Sequence, residues 1–199
     1  MTQTRMSKRE RRDQLLQLAA EIVVTDGAER LTLQTLADRA GVSKPITYNH
    51  FCDRKGLLVQ LYRCYDEELV AEIQAIPDSK CSTLKSTAAI LAAVYIDCVI
   101  RNGHVYEAVV AALSSYPEFA DLRCRICDYF IKVYRELFRP LITSENTICT
   151  SRLIAIYGAS EELARAVVAG RVSRSAAVGT LSGLIEGLFS PMSTPGKSE

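Results

Sequence analysis

Apolar positions recur at three- and four-residue spacing along nearly the whole chain, and no stretch alternates with the period of two that a half-buried strand requires. The pattern predicts helices and no sheet. Ser7, with Glu10 three residues on, is a capping box, and behind it Leu15, Leu18, Ala19, Ile22 and Val23 form one helical stripe that Gly27 stops. Thr32 is an N-cap for a short second helix, with Leu31 and Leu36 as a hydrophobic staple and Leu33, Leu36 and Ala37 as its buried stripe. That helix ends at Gly41. Ser43 caps a third helix running to about Phe51, and Pro45 falls in its first turn, where a missing N–H leaves nothing unsatisfied. Asp53 caps a longer fourth helix, roughly 54–75, with Leu57, Leu58, Leu61, Tyr62, Tyr65, Leu69 and Ile73 on its apolar side. Pro77, Asp78 and Ser79 break it. Further helices are expected near 83–101, 105–114, 118–138, 145–157, 161–170 and 174–189, punctuated by Gly103, Pro117, Pro140, Gly158 and Gly170.

The chain has 199 residues, enough to bury a sizeable core, and its 48% hydrophobic and 24% charged residues are those of an ordinary globular protein. The longest apolar stretch, Ala88 to Ile96, ends at Asp97 and is too short to span a membrane. No uninterrupted apolar run follows the basic start MTQTRMSKRERR, so a secretory signal is not expected and a cytoplasmic location is. Seven cysteines, an odd number scattered through helical patterns, read as small buried hydrophobes rather than a disulfide framework. Net charge is +1, but residues 1–63 carry eleven Lys and Arg against seven Asp and Glu, a balance of +4 that leaves −3 for the remainder. A basic N-terminal third on a mildly acidic body points one end at a polyanion.

The stretch LTLQTLADRAGVSKPITYNHF has two short helices joined by a tight turn containing Gly, the helix-turn-helix arrangement. The second helix of such a pair enters the major groove with its N-terminal residues against base edges. The candidates for DNA contact are Ser43, Lys44, Pro45, Thr47, Tyr48 and Asn49. Lys44 has the reach for guanine O6 and N7, Asn49 pairs with adenine N6 and N7, and Pro45 packs on a thymine methyl. Thr32 and Arg54 lie at helix N-termini, where the dipole favours phosphate, and the arm from Arg5 to Arg12 adds salt-sensitive affinity.

Thr32, Leu36, Ala37, Ala40, Gly41, Val42, Ser43, Tyr48, His50, Phe51 and Leu57–Leu58 resemble the DNA-binding domain of the TetR/AcrR family of bacterial transcription regulators, over about residues 7–65. The resemblance implies that Tyr48 and His50 hold phosphate oxygens. It also implies an all-α fold, with a three-helix DNA-binding domain at 1–53 and a larger helical effector-binding and dimerisation domain at 54–190; the composition of PMSTPGKSE predicts a disordered tail at 191–199. Two departures stand out. The family usually has a small polar residue and then an aliphatic before the Tyr, whereas this chain has Ile46 and then Thr47, so the family register turns Thr47 inward and Ile46 toward DNA. Lys55–Gly56 stands where an acidic residue and Ala are commoner.

In the last helix, Gly179, Gly183 and Gly187 share one face at four-residue spacing, which the close approach of another helix explains. With Leu184 and Leu188 they resemble the family's dimer helix, and a homodimer is expected. The resemblance further implies a pocket for a small, apolar or aromatic effector. Tyr65, Tyr95, Cys98, Tyr106, Tyr129 and Tyr134 are its candidate lining, as tyrosines among apolar residues. His104 is a further polar candidate. Cys124 and Cys127 form C-x-x-C without a second ligand pair, so no metal and no cofactor is expected. Enzyme motifs are missing too: two histidines, no Gly-rich phosphate loop and no G-x-S-x-G. The expectation is a ligand-responsive repressor, with a DNA-binding regulator answering to thiol oxidation, metal or a protein partner as the alternative.

Overall fold

The computed structural model describes residues 6–77, 79–81, 83–142 and 148–190. The expected tail at 191–199, Arg5 of the basic arm, Asp78 after the fourth helix and the first three residues of the helix expected from 145 lie outside the described residues. Among those residues there are eight α-helices and no strand: α1 (Lys8–Asp26), α2 (Leu33–Ala40), α3 (Lys44–Phe51), α4 (Arg54–Gln74), α5 (Leu84–Ser114), α6 (Leu122–Phe138), α7 (Thr150–Val168) and α8 (Arg174–Phe189). None is long and apolar enough to cross a membrane.

Two of the expected helix breaks do not occur. Gly103, buried, lies inside a continuous α5, and Gly158, exposed, inside a continuous α7. A glycine within a helix costs about 1 kcal/mol relative to alanine, and the apolar residues on either side outweigh that. Pro117, by contrast, does interrupt: it opens a single 3-10 turn, Pro117–Phe119, ahead of α6.

The chain divides into two compact units, Met1–Glu68 with Asn102–Arg125, and Leu69–Arg101 with Ile126–Glu199. Leu15, Ala19, Ile22, Leu31, Leu36, Phe51, Leu57 and Leu58 form the core of the first, all essentially sealed from solvent. In the second, Leu91, Ile96, Phe138, Leu153, Ile156, Leu181 and Ile185 are buried, and the rings of Phe138 and Phe189 meet at 4.9 Å between centroids. A two-pronged Arg174–Asp97 pair, with both N···O distances 2.6 Å, ties α8 to α5 within this unit.

Candidate nucleic-acid interface

Local chemistry fixes the helix-turn-helix before any long-range contact does. The capping box at Ser7 is closed in both directions, Glu10 N–H donating to Ser7 Oγ at 3.2 Å and Ser7 N–H to Glu10 Oε2 at 2.7 Å. Thr32 and Thr35 form a second box at the head of α2, a role for Thr35 that the Glu/Gln signature does not anticipate. Gly41 then takes the left-handed conformation (φ 62°, ψ 34°). Its N–H donates to the Asp38 carbonyl and that of Val42 to the Ala37 carbonyl, the Schellman pattern that satisfies the last carbonyls of α2 and sharply redirects the chain.

The face that α3 presents follows from Thr47. It is fully buried, and its Oγ1 lies 3.0 Å from the Leu33 carbonyl and 2.9 Å from that of Lys44. Thr47 is therefore removed from the expected base-reading set, because its hydroxyl is spent on α2. Ser43, Lys44, Pro45, Tyr48 and Asn49 face outward, with the Tyr48 side chain left 43% exposed. Lys44 Nζ sits 5.5 Å from the centre of the Tyr48 ring, a cation–π contact that pre-positions both side chains on the open face.

Beside that face runs an open groove of about 1250 Å³, lined by Lys8, Arg11 and Gln14 of α1, Gly41 and Val42 of the turn, and Ile46, Asn49 and His50 of α3. Ile46, half-buried, thus occupies the place on the groove side that Thr47 does not take. Burial, followed by the charges of Lys8, Arg12 and Arg11, holds His50 below the ordinary imidazole value. Gln60 braces this end of α3 by donating to the His50 carbonyl at 3.3 Å while accepting from Arg12 Nε at 2.8 Å. No local sequence signal marks that link, since its residues are 10 and 48 positions apart.

Arg54 does something other than meet phosphate. Its Nε donates to the Leu31 carbonyl (2.8 Å), one terminal nitrogen to the Ala28 carbonyl (2.8 Å) and the other to the Tyr116 hydroxyl (3.1 Å), so the guanidinium clamps the α1–α2 turn to the head of α4. Lys55 likewise pairs with Glu118 at 2.5 Å, a contact that raises its pKa. At Cys52 the backbone adopts φ 62° and ψ −58°, and the Asp53 N–H bonds the Phe51 carbonyl across it at 2.7 Å: a γ-turn of the strained, positive-φ kind. Asp53 Oδ1 accepts from Gly56 N–H at 2.7 Å, capping α4 as expected, and Thr32 remains half-exposed at its own helix start.

Residues 15–61 match the family model described as bacterial regulatory proteins, tetR family. Over this segment the chain is similar to the DNA-binding module of the TetR family. It is 30% identical over 111 residues to the HTH-type transcriptional repressor KstR2 of Mycolicibacterium smegmatis, a match covering 55% of this chain and 54% of that protein. It is 31% identical over 106 residues to the transcriptional activator FasR of the same organism, covering 53% and 48%. The chain thus matches about half the length of these relatives. In fold it resembles the crystal structure of a TetR-like transcriptional regulator from Rhodococcus sp. RHA1, with a TM-score of 0.67 at 17% identity over 92% of this chain and 97% of that one.

The matched segment, 15–61, lies within the first unit; the expected effector residues are distributed over both units. Within the first, Tyr65 meets Tyr106 edge-on at 6.4 Å, and the Tyr106 hydroxyl donates to the buried Asp66 carboxylate at 2.9 Å. Exposed His104 borders a shallow cleft of about 520 Å³ with Glu29, Arg54 and Ala108. In the second unit Tyr95, Cys98 and Tyr134 are buried and Tyr129 is 39% exposed. Cys124 is exposed and Cys127 half-buried, and among the described residues no group of three or more His, Cys, Asp or Glu converges as a metal site. On α8, Gly179, Gly183 and Gly187 all face solvent, with nothing within 4 Å of a Cβ built on any of them, while Leu184 and Leu188 are half-buried beside them.

Proposed function

We propose that the protein is a DNA-binding transcription regulator that acts as a homodimer, most simply as a repressor that a small-molecule effector releases from its operator. The observation that carries this reading is the outward set Lys44, Pro45, Tyr48 and Asn49 on α3, flanked by a groove bearing Lys8, Arg11 and His50. It combines base-edge chemistry with phosphate-directed charge on one face. Tyr48 and His50 hold backbone phosphates, Lys44 and Asn49 read bases, and Ile46 on the groove side offers an apolar contact in place of the buried Thr47.

Dimerisation supplies the second half-site. The open glycine stripe on α8 admits a helix at close range, and two copies joined there present two recognition helices for successive major grooves about 34 Å apart. The effector and the operator oppose each other through a coupling of about 1–3 kcal/mol. Capture of fragmented source DNA on the purified protein tests the whole reading: recovered fragments share an inverted repeat, and light scattering gives a dimer bound to each. Recovery of fragments with no common sequence contradicts it.

A further inference from the structure

The second unit contains a carboxylate that DNA binding does not use. Glu161, half-buried on α7, accepts one hydrogen bond, from the hydroxyl of the buried Tyr95. Among the described residues no Lys, Arg or His pairs with it; Arg165, one turn further along the helix, is held by Glu162 at 3.2 Å. Aromatic rings gather next to this carboxylate. Phe130 is stacked on Tyr157 at 5.7 Å and is met edge-on by Tyr95 at 6.3 Å, with Tyr134 at 6.1 Å. The Tyr134 hydroxyl is fully buried and has no hydrogen-bond partner, the neighbouring Ser160 Oγ being engaged with the Ile156 carbonyl at 2.8 Å. Burial first pushes the hydroxyls of Tyr95 and Tyr134 up; the charge of Glu161 comes next at Tyr95, while at Tyr134 the nearby Ser160 opposes the rise and Glu161 adds a smaller push.

A carboxylate with no cation beside it and a buried hydroxyl with no partner both carry an unfavourable desolvation cost. One kind of molecule relieves both. An ammonium group neutralises the carboxylate, offers N–H donors to Glu161 and the Tyr134 oxygen, and is attracted to the faces of aromatic rings. We propose that the effector is an organic cation, an aromatic or alkyl amine whose ammonium replaces the Tyr95 hydroxyl on Glu161. The proposal rests on the reading that a small molecule controls this protein, and adds the chemistry that the molecule must have.

Three probes with one carbon skeleton separate charge from shape: 4-phenylbutylamine, 4-phenylbutanol and 4-phenylbutyrate, titrated calorimetrically into the full-length protein. The amine is expected to bind about tenfold or more tighter than the alcohol. Glu161→Gln, which keeps an acceptor for Tyr95, should bring that ratio near one at unchanged helix content and melting temperature. Tyr95→Phe removes the competing donor and should tighten amine binding several-fold without helping the alcohol, so the proposal remains open to test even if Glu161→Gln is misfolded. Equal binding of amine and alcohol, or a preference that survives Glu161→Gln, overturns the cation inference; if the alcohol or the butyrate also releases DNA, small-molecule control stands without it. Failure of all three probes to bind overturns the inference and removes support from small-molecule control itself.

Discussion

Thr47 Oγ1 and the Leu33 carbonyl, 3.0 Å apart, fix which side of the recognition helix faces outward. The bond crosses from α3 to α2 and is sealed from water, so it sets the roll of α3 before any DNA is present. Thr47→Val keeps the shape and loses the hydroxyl, and should cost about 0.5–1.5 kcal/mol of stability by urea unfolding. DNA affinity per folded molecule should change little. A variant of full stability with altered sequence preference would contradict the inward assignment.

The junction between α3 and α4 leaves no room for a side chain at position 56. A Cβ there would lie 2.2 Å from the Phe51 carbonyl oxygen, itself held by the γ-turn at Cys52. Gly56→Ala gains about 1 kcal/mol of helix propensity, yet it should destabilise the protein by about 1–3 kcal/mol because backbone atoms must move. Chemical denaturation measures the sign directly, and a more stable variant would refute the crowding.

Proton uptake should accompany DNA binding. His50 is held below its ordinary value of 6.5 by burial and by the charges of Lys8, Arg12 and Arg11. In the free protein this favours folding above that value, and the contribution is lost as pH falls through the lowered pKa. Phosphates brought into the groove offset the cationic charge and raise the pKa again. Affinity should therefore increase as pH falls below about 6.5, by at most about tenfold per pH unit. His50→Gln should flatten the profile, and an identical profile in the variant would exclude His50 as its source.

Leucine at position 183 tests the α8 seam. No atom of the same chain lies within 4 Å of a Cβ at Gly183, so Gly183→Leu should fold with normal helix content. In a dimer packed through that face the added side chain separates the helices, and sedimentation equilibrium should give a monomer with much weaker DNA binding. A dimer of undiminished affinity would place the interface elsewhere.

What the sequence revealed and what it hid divide along physical lines. The Ser7 and Thr32 caps, the Gly41 turn and the Asp53 cap are local, settled by residues within five positions of each other, and all were legible. Gly103 and Gly158 misled because a glycine's helix cost is small and the packing that overrides it leaves no mark in a short window. Arg54 was misassigned for a related reason. A helix N-terminus favours an anion near it, but its guanidinium is taken by carbonyls 23 and 26 residues away, partners that only the fold brings close. The pairing of Tyr95 with Glu161 spans 66 residues and has no sequence signature at all.

Selection of duplexes from a random library by the purified protein, followed by titration of the enriched site with the wild type and with Tyr48→Ala and Lys44→Ala, tests the central claim most directly. Both residues are on the open face of α3, so the variants should keep the wild-type melting temperature. The wild type should enrich an inverted repeat, and each substitution should weaken specific binding by about 1–3 kcal/mol per affected contact. Enrichment of no sequence, or equal affinity of all three proteins for the enriched one, would contradict the assignment of α3 as a DNA-reading helix.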